Sequence, residues 1–272
     1  MSKSHSYILG INAYDHDVSA CLLRDGEIAY AIAKERVTRQ KHAGGFYQEV
    51  VDYCLNAEGI TLDDVDLVVR NCYVLPIEDI ELRLLSQTDM PAKERTQAAN
   101  SPLYRAKSNK VVTVSHHVAH AYSAFAACPF DEGVVMVVDG VGSYCADIGE
   151  KDQLTESVNP LARESESYYK FSGSKLEALK KVWLNPERGF LSDEFFNMKG
   201  LGAMYSRVSS YIFADWNKCG EVMGLAPYGR PAQVSRLVTL QNGALEVPDW
   251  TDEFDRPYLA DAKEKWDDSP AM

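Results

Sequence analysis

Short apolar blocks separated by polar turns open the chain. Tyr7, Ile8, Leu9 and Ile11 read as a strand, Ala13 to Asp17 as a polar turn, and Val18-Ser19-Ala20-Cys21-Leu22-Leu23 as a second strand. The tight turn Arg24-Asp25-Gly26-Glu27 leads into a third strand over 28–33, apolar on both faces. After Gly45-Phe46-Tyr47 the period changes to that of a helix, with Val50, Val51, Tyr53, Cys54 and Leu55 as its apolar stripe and Gly59 as its stop. Residues 66–70 give the next strand. Residues 111–114 give another, which runs straight into a helix whose small residues Ala121, Ser123, Ala124, Ala126 and Ala127 predict close packing. Residues 133–138 form an apolar run long enough for a central strand.

The rest is less regular. Residues 78–110 are polar, broken at Asp89-Met90-Pro91-Ala92-Lys93, and read as a helix plus an exposed loop. Residues 147–175, rich in Ser and Glu, read as an insertion, followed by an amphipathic segment over 176–182. A helix opens near Lys199, with Met204, Val208, Tyr211 and Ile212 as a core stripe, and Gly200 and Gly202 at its start can let the backbone pass close to a ligand. Residues 223–229 are too apolar for an ordinary surface loop, and Pro227 blocks helix continuation, so this segment is expected to line a cleft. A helix and hairpin over 233–247 and a polar, acidic run over 249–272 close the chain. The expected division is a first subdomain over 1–146, a helical insertion with the start of a second subdomain over 147–232, and a truncated or divergent tail over 233–272.

Three of the six histidines, His116, His117 and His120, fall where a strand meets a helix. In open α/β sheets ligands collect at such carboxyl ends. On a helix His116 and His120 share a face and can converge on one ion, whereas His117 points about 100° away. The spacing leaves two readings open: a metal site, or histidines that cap the first turn and pack against neighbouring strands. Asp139-Gly140-Val141-Gly142 ends the apolar run in an acid and a glycine turn. Such a turn can offer amides to a phosphate and a carboxylate to a metal, or simply reverse the chain.

Taken in order, Gly10-Ile11-Asn12-x-x-x-His16-Asp17, Glu35-Arg36-x-x-Arg39-x-Lys41, His116-His117-x-x-His120-Ala121-x-Ser123-Ala124-Phe125, Val138-Asp139-Gly140-x-Gly142 and the run from Gly220 to Gly229 resemble the amino-terminal part of the O-carbamoyltransferases of the nodulation and antibiotic-tailoring type. The resemblance implies a ribonuclease-H-like mixed sheet flanked by helices, of the actin, sugar-kinase and Hsp70 superfamily. It also implies a divalent metal, iron by analogy with relatives, held by His116, His120 and Asp139. His16 would act as general base toward the acceptor hydroxyl, with Asp17 beside it. Asn12, Arg39, Lys41, Gly140, Gly142 and Lys218 would contact ATP or the carbamoyl-adenylate made from ATP and carbamoyl phosphate. The acceptor would be a small polar metabolite. Spacing alone does not select iron over zinc or manganese, since imidazole and carboxylate suit several of these metals.

Relatives carry a second ribonuclease-H-like half and a separate carbamoyl-adenylate-forming domain, and neither is recognisable here. The chain therefore reads as a fragment or as one part of a split enzyme, inactive alone and expected to associate with itself or with a complementary chain. A noncatalytic, actin-like nucleotide-binding module is the alternative. With 272 residues, 46% of them hydrophobic, the chain can bury a sizeable core. Its formal charge of -12 argues against nucleic-acid binding, which relies on Lys and Arg neutralising phosphates. No run approaches the length of a membrane span and no signal-peptide core follows Met1, so the expectation is cytoplasmic. The six cysteines are scattered without a Cys-x-x-Cys pair and read as reduced structural residues.

Overall fold

The computed structural model describes residues 5–13, 16–72, 111–148, 154–184, 200–213, 215, 217–229, 239–241 and 244–246. The chain divides into two compact units, residues 1–119 with 147–149 and residues 120–146 with 150–272.

In the first unit the opening alternation does what its period requires. Strands β1 (Tyr7–Asn12), β2 (Ser19–Arg24) and β3 (Glu27–Ala33) form an antiparallel meander, while β4 (Leu67–Cys72) and β5 (Val111–Ser115) lie parallel to β1 in the order β3-β2-β1-β4-β5. This is the expected ribonuclease-H-like mixed sheet. The β2–β3 loop is two residues, Asp25 at φ 54° and Gly26 at φ 89°, because a turn with both central residues left-handed matches the twist of the flanking strands. Alternation puts Leu9, Ile11, Ala20 and Leu22 on one face. Against that face sits α2 (Gln48–Glu58), preceded by the short α1 (Lys34–Thr38). Val50, Val51, Cys54 and Leu55 of α2 are buried, each large apolar side chain contributing roughly 1.5–3 kcal/mol. Tyr53, expected in that stripe, is 47% exposed, since on the helix it lies outside the arc spanned by Val50, Val51, Cys54 and Leu55. Gly59 ends α2 in the left-handed conformation with its N–H on the Leu55 and Asn56 carbonyls.

In the second unit β6 (Glu132–Val138), β7 (Arg163–Ser172) and β8 (Lys175–Leu184) form an antiparallel sheet in that order. Two expectations change here. Among the described residues β6 is an edge strand with Val134, Met136 and Val138 exposed, and not a central one. Residues 163–184, placed in a helical insertion, are a β-hairpin. Leu176, Leu179, Val182 and Trp183 fall at helical spacing, and it is pairing of β8 with β7, itself paired with β6, that makes the segment a strand.

Helix α3 (His116–Ala126) buries His117 and Ala121 but leaves Ser123, Ala124, Ala126 and Ala127 exposed, so the expected packing of its small residues is absent. In α4 (Leu201–Phe213) the buried face is Ala203, Ser206, Ser209, Ser210 and Ile212, while Met204 and Val208 are only half-buried. Serine can face a packed surface because its hydroxyl finds a backbone acceptor: Ser209 Oγ donates to Asp215 O at 2.6 Å and Ser210 Oγ to Ser206 O at 3.0 Å. The 223–229 stretch, expected to line a cleft, is helical. It lies in α5 (Cys219–Leu225) and a following 3-10 turn with Pro227 in its first turn, and Met223, Leu225 and Tyr228 are exposed. The strands β9 (Thr239–Gln241) and β10 (Ala244–Glu246) supply the expected hairpin. The expectations for 78–110 and 249–272 lie outside the described residues. No helix among the described residues is long and apolar enough to cross a membrane.

Candidate metal centre and histidine cluster

β5 passes into α3 without a linker, so the first helical residue is His116 and the next on its face is His120. His117 is rotated away and fully buried. The chain then returns through β6, whose end is followed by Asp139. His120 Nε2 lies 4.0 Å from Asp139 Oδ2, and His116 stands one turn before His120 on α3. Two imidazoles and a carboxylate are a donor set that suits a divalent first-row metal. Metal bonds of about 2.1 Å require donors no more than about 4.2 Å apart, so closure needs only small side-chain rotations.

Asp139 is held from several sides. Its Oδ1 accepts the Gly140 N–H at 2.7 Å, which leaves Oδ2 as the oxygen nearer His120. Its own N–H donates to Ser165 O at 3.0 Å, the Gly142 N–H donates to Glu164 O at 2.7 Å, and the Ser143 N–H donates to Glu164 Oε2 at 3.1 Å. Arg163 Nε donates to Gly142 O at 2.8 Å, with its guanidinium 4.9 Å from the Tyr144 ring centre. Beneath this turn Lys181 Nζ meets Glu164 Oε1 at 2.6 Å and Tyr169 Oη at 2.9 Å, both charged side chains being fully buried. Burial alone lowers an ammonium's pKa, but the Glu164 carboxylate and Tyr169 outweigh it and Lys181 is raised. Gly202, in the first turn of α4, meets the Asp139 carbonyl and the Gly140 nitrogen so closely that any Cβ there would clash.

A second cluster lies in the first unit. His16 Nδ1 is 2.7 Å from Asp17 Oδ2, and His42 Nδ1 is 3.1 Å from Asp17 Oδ1. Burial raises the Asp17 carboxyl, yet hydrogen bonds from the two imidazoles outweigh it and the group is lowered. Asn12 Nδ2 donates to Asp17 O at 2.8 Å, and Asn71 Nδ2 donates to Asn12 Oδ1 at 2.8 Å.

Residues 7–254 match the family described as Carbamoyltransferase N-terminus. The chain belongs to that family. It is 28% identical over 244 residues to nodulation protein NolNO of Sinorhizobium fredii, covering 85% of this chain and 31% of that protein. It is 30% identical over 262 residues to the uncharacterized protein sll1178 of Synechocystis, covering 86% and 36%. The chain thus spans about a third of the length of the curated relatives it matches. Among solved structures it is similar to YeaZ from Pseudomonas aeruginosa, at TM-score 0.35 and 12% identity over 69% of this chain and 71% of that one. A putative N-acetylglucosamine kinase from Porphyromonas gingivalis follows at TM-score 0.30 and 13% identity, over 81% and 71%.

In this chain the residues expected around a nucleotide divide into groups. The amides of Gly140 and Gly142 are spent on Asp139 and Glu164, so this turn holds a carboxylate in place of offering those amides to a phosphate. Asn12 supports the Asp17 turn. Arg39 caps α1 at φ 62° with its N–H on Glu35 O, and Arg39 and Lys41 are exposed. Lys218 Nζ pairs with Glu221 Oε1 at 3.1 Å. His42, Asn71 and the Glu164–Lys181 pair were not legible as site residues. His42 directly follows Lys41, but its contact with Asp17 is a tertiary one. The cysteines agree with a structural reading: Cys54 is buried and its thiol is pushed up to about 11, chiefly by burial.

Proposed function

We propose that this chain supplies the transferase part of an O-carbamoyltransferase, which moves a carbamoyl group from carbamoyl-adenylate to a hydroxyl of a small polar metabolite. The reading rests on one observation: in a chain of the Carbamoyltransferase N-terminus family, His120 Nε2 lies 4.0 Å from Asp139 Oδ2, with His116 one turn before His120 on the same helix. A divalent cation bound there, iron by resemblance, would act as a Lewis acid toward the negative charge that develops on the mixed anhydride.

The chain's own residues account for the rest of the proposal. Asp139, locked by the Gly140 N–H, presents one oxygen in a fixed direction, and the rigid spacing of α3 presents two imidazoles. His16, oriented by Asp17, takes the proton of the acceptor hydroxyl as that oxygen forms a bond to the carbamoyl carbon. The bond from that carbon to the phosphate oxygen breaks, and AMP leaves with the electron pair. Arg39 and Lys41, exposed on the stretch that leads into His42, are proposed as phosphate contacts.

Metal analysis of the purified protein and single variants tests the centre. His116→Ala, His120→Ala and Asp139→Ala are expected to lose most bound iron or zinc, and His16→Ala to keep it while losing transfer in the complete enzyme. Metal content equal to wild type in His116→Ala would remove the site. Loss of metal in His16→Ala would place that imidazole on the metal.

A further inference from the structure

The carboxylate of Asp17 is shared by two imidazoles, and the proposed reaction uses one of them. An ionised carboxylate only accepts hydrogen bonds, so both His16 and His42 must carry their proton on Nδ1, which leaves Nε2 of each ring as its acceptor. With His42 on Oδ1 the plane of the carboxylate is fixed, and Oδ2 is aimed at His16. The backbone is bent to achieve this. Asp17 at φ 52° and His42 at φ 55° both adopt the left-handed conformation, which is uncommon for residues with a Cβ and costs about 1 kcal/mol or more at each.

The contacts around the cluster hold those two turns together. The Val18 N–H donates to Ala43 O at 3.0 Å, joining the residue after Asp17 to the residue after His42. The His42 N–H donates to Glu35 Oε2 at 3.3 Å, and the Lys34 N–H donates to Val18 O at 2.7 Å. Asn12 holds the Asp17 carbonyl and is itself held by Asn71. The side chains of His16, Asp17 and His42 are 43%, 48% and 31% exposed. Ion pairs so open to water contribute little to stability, so they do not offset two strained residues. Strain maintained by a surrounding hydrogen-bond frame marks a geometry kept for use.

We infer that His42 is a positioning residue, which acts on His16 through the Asp17 carboxylate that the two imidazoles share. The inference rests on the reading of His16 as the general base. Its role is to keep Asp17 Oδ2 on His16 Nδ1–H, so that His16 Nε2 is the basic atom toward the acceptor and the imidazolium formed there is stabilised.

Nitrogen NMR of the imidazoles in the 272-residue protein tests the geometry without any activity. Neutral His16 and His42 are both expected in the Nδ1–H tautomer. His42→Ala is expected to return His16 to a mixture of tautomers. His42→Asn is expected to preserve it, because Asn Nδ2 stands where Nδ1 was and Asn tolerates the left-handed backbone. In the complete enzyme His42→Ala should lower kcat on the order of tenfold, a part of the roughly 10²–10⁴-fold that a general base contributes, with the acceptor KM little changed. His42→Asn should restore most of it. An unchanged His16 tautomer in His42→Ala, or a His42→Asn variant as slow as His42→Ala with a normal tautomer, overturns the inference. Undiminished transfer by His16→Ala would instead sink the base reading, while the tautomer result would still stand.

Discussion

At the scale of single residues, the second unit shows how a buried charge can serve a site it does not touch. Glu164 and Lys181 satisfy each other in the absence of solvent, and the second oxygen of Glu164 takes the Ser143 N–H in the turn that carries Asp139. Removing one partner leaves a charge buried without compensation, which costs about 3–5 kcal/mol, whereas replacing both with uncharged groups costs far less. Lys181→Met is therefore expected to lose about 3–5 kcal/mol in urea denaturation, and Glu164→Gln with Lys181→Met to recover a substantial share. Equal losses in the single and double variants would mean that the pair contributes only packing. In sequence, Glu164 and Lys181 look like two more charges in a polar stretch. Only the pairing of β7 with β8, in which Glu164 stands opposite Trp183 and Lys181 opposite Ser167, brings the two side chains within reach of each other.

At the scale of elements, the placement of Asp139 depends on how closely α4 approaches the end of β6. Gly202 allows the helix backbone to lie on the Asp139–Gly140 peptide. Gly202→Ala must push α4 outward or shift the turn. It is expected to cost about 1–3 kcal/mol as an overpacked contact and to weaken metal retention as Asp139 moves. Gly224, in α5, has open space where a Cβ would sit. Gly224→Ala should be neutral or stabilise by up to about 1 kcal/mol, because Gly is the poorer helix former. Thermal denaturation with metal analysis separates the two, and a Gly202→Ala protein with wild-type stability and metal would show that α4 has room to spare. The sequence offered Gly200 and Gly202 for a close approach to a ligand, and the neighbour they approach is instead protein: Ser165 and Leu184 for Gly200, the Asp139–Gly140 peptide for Gly202.

At the scale of the whole molecule, the formal charge of -12 sets what the chain attracts. A surface with this excess of carboxylates repels polyanions, since nucleic-acid affinity comes from cationic side chains releasing counterions. Fluorescence anisotropy with labelled single-stranded DNA is expected to show no binding at about 50 mM salt, and a salt-sensitive isotherm there would reveal a basic face that the net charge hides. What the sequence alone determined is the part written in short-range periodicity. The β1–β2–β3 meander, α2 with its stop at Gly59, and the i, i+4 pair His116 and His120 all follow from which faces a local pattern must bury. Tertiary structure decided the rest. The 163–184 stretch suited both helix and strand until β6 offered it a partner. Met204 and Val208 yielded the buried face of α4 to serines that found backbone acceptors. Asp139 drew near His120 only once the chain had folded back through β6, and His42 met Asp17 only when two distant left-handed turns were tied by Val18 and Ala43. Contacts of this kind leave no local trace, because hydrophobic period reports which face a residue presents and carries no information about which distant segment will meet it.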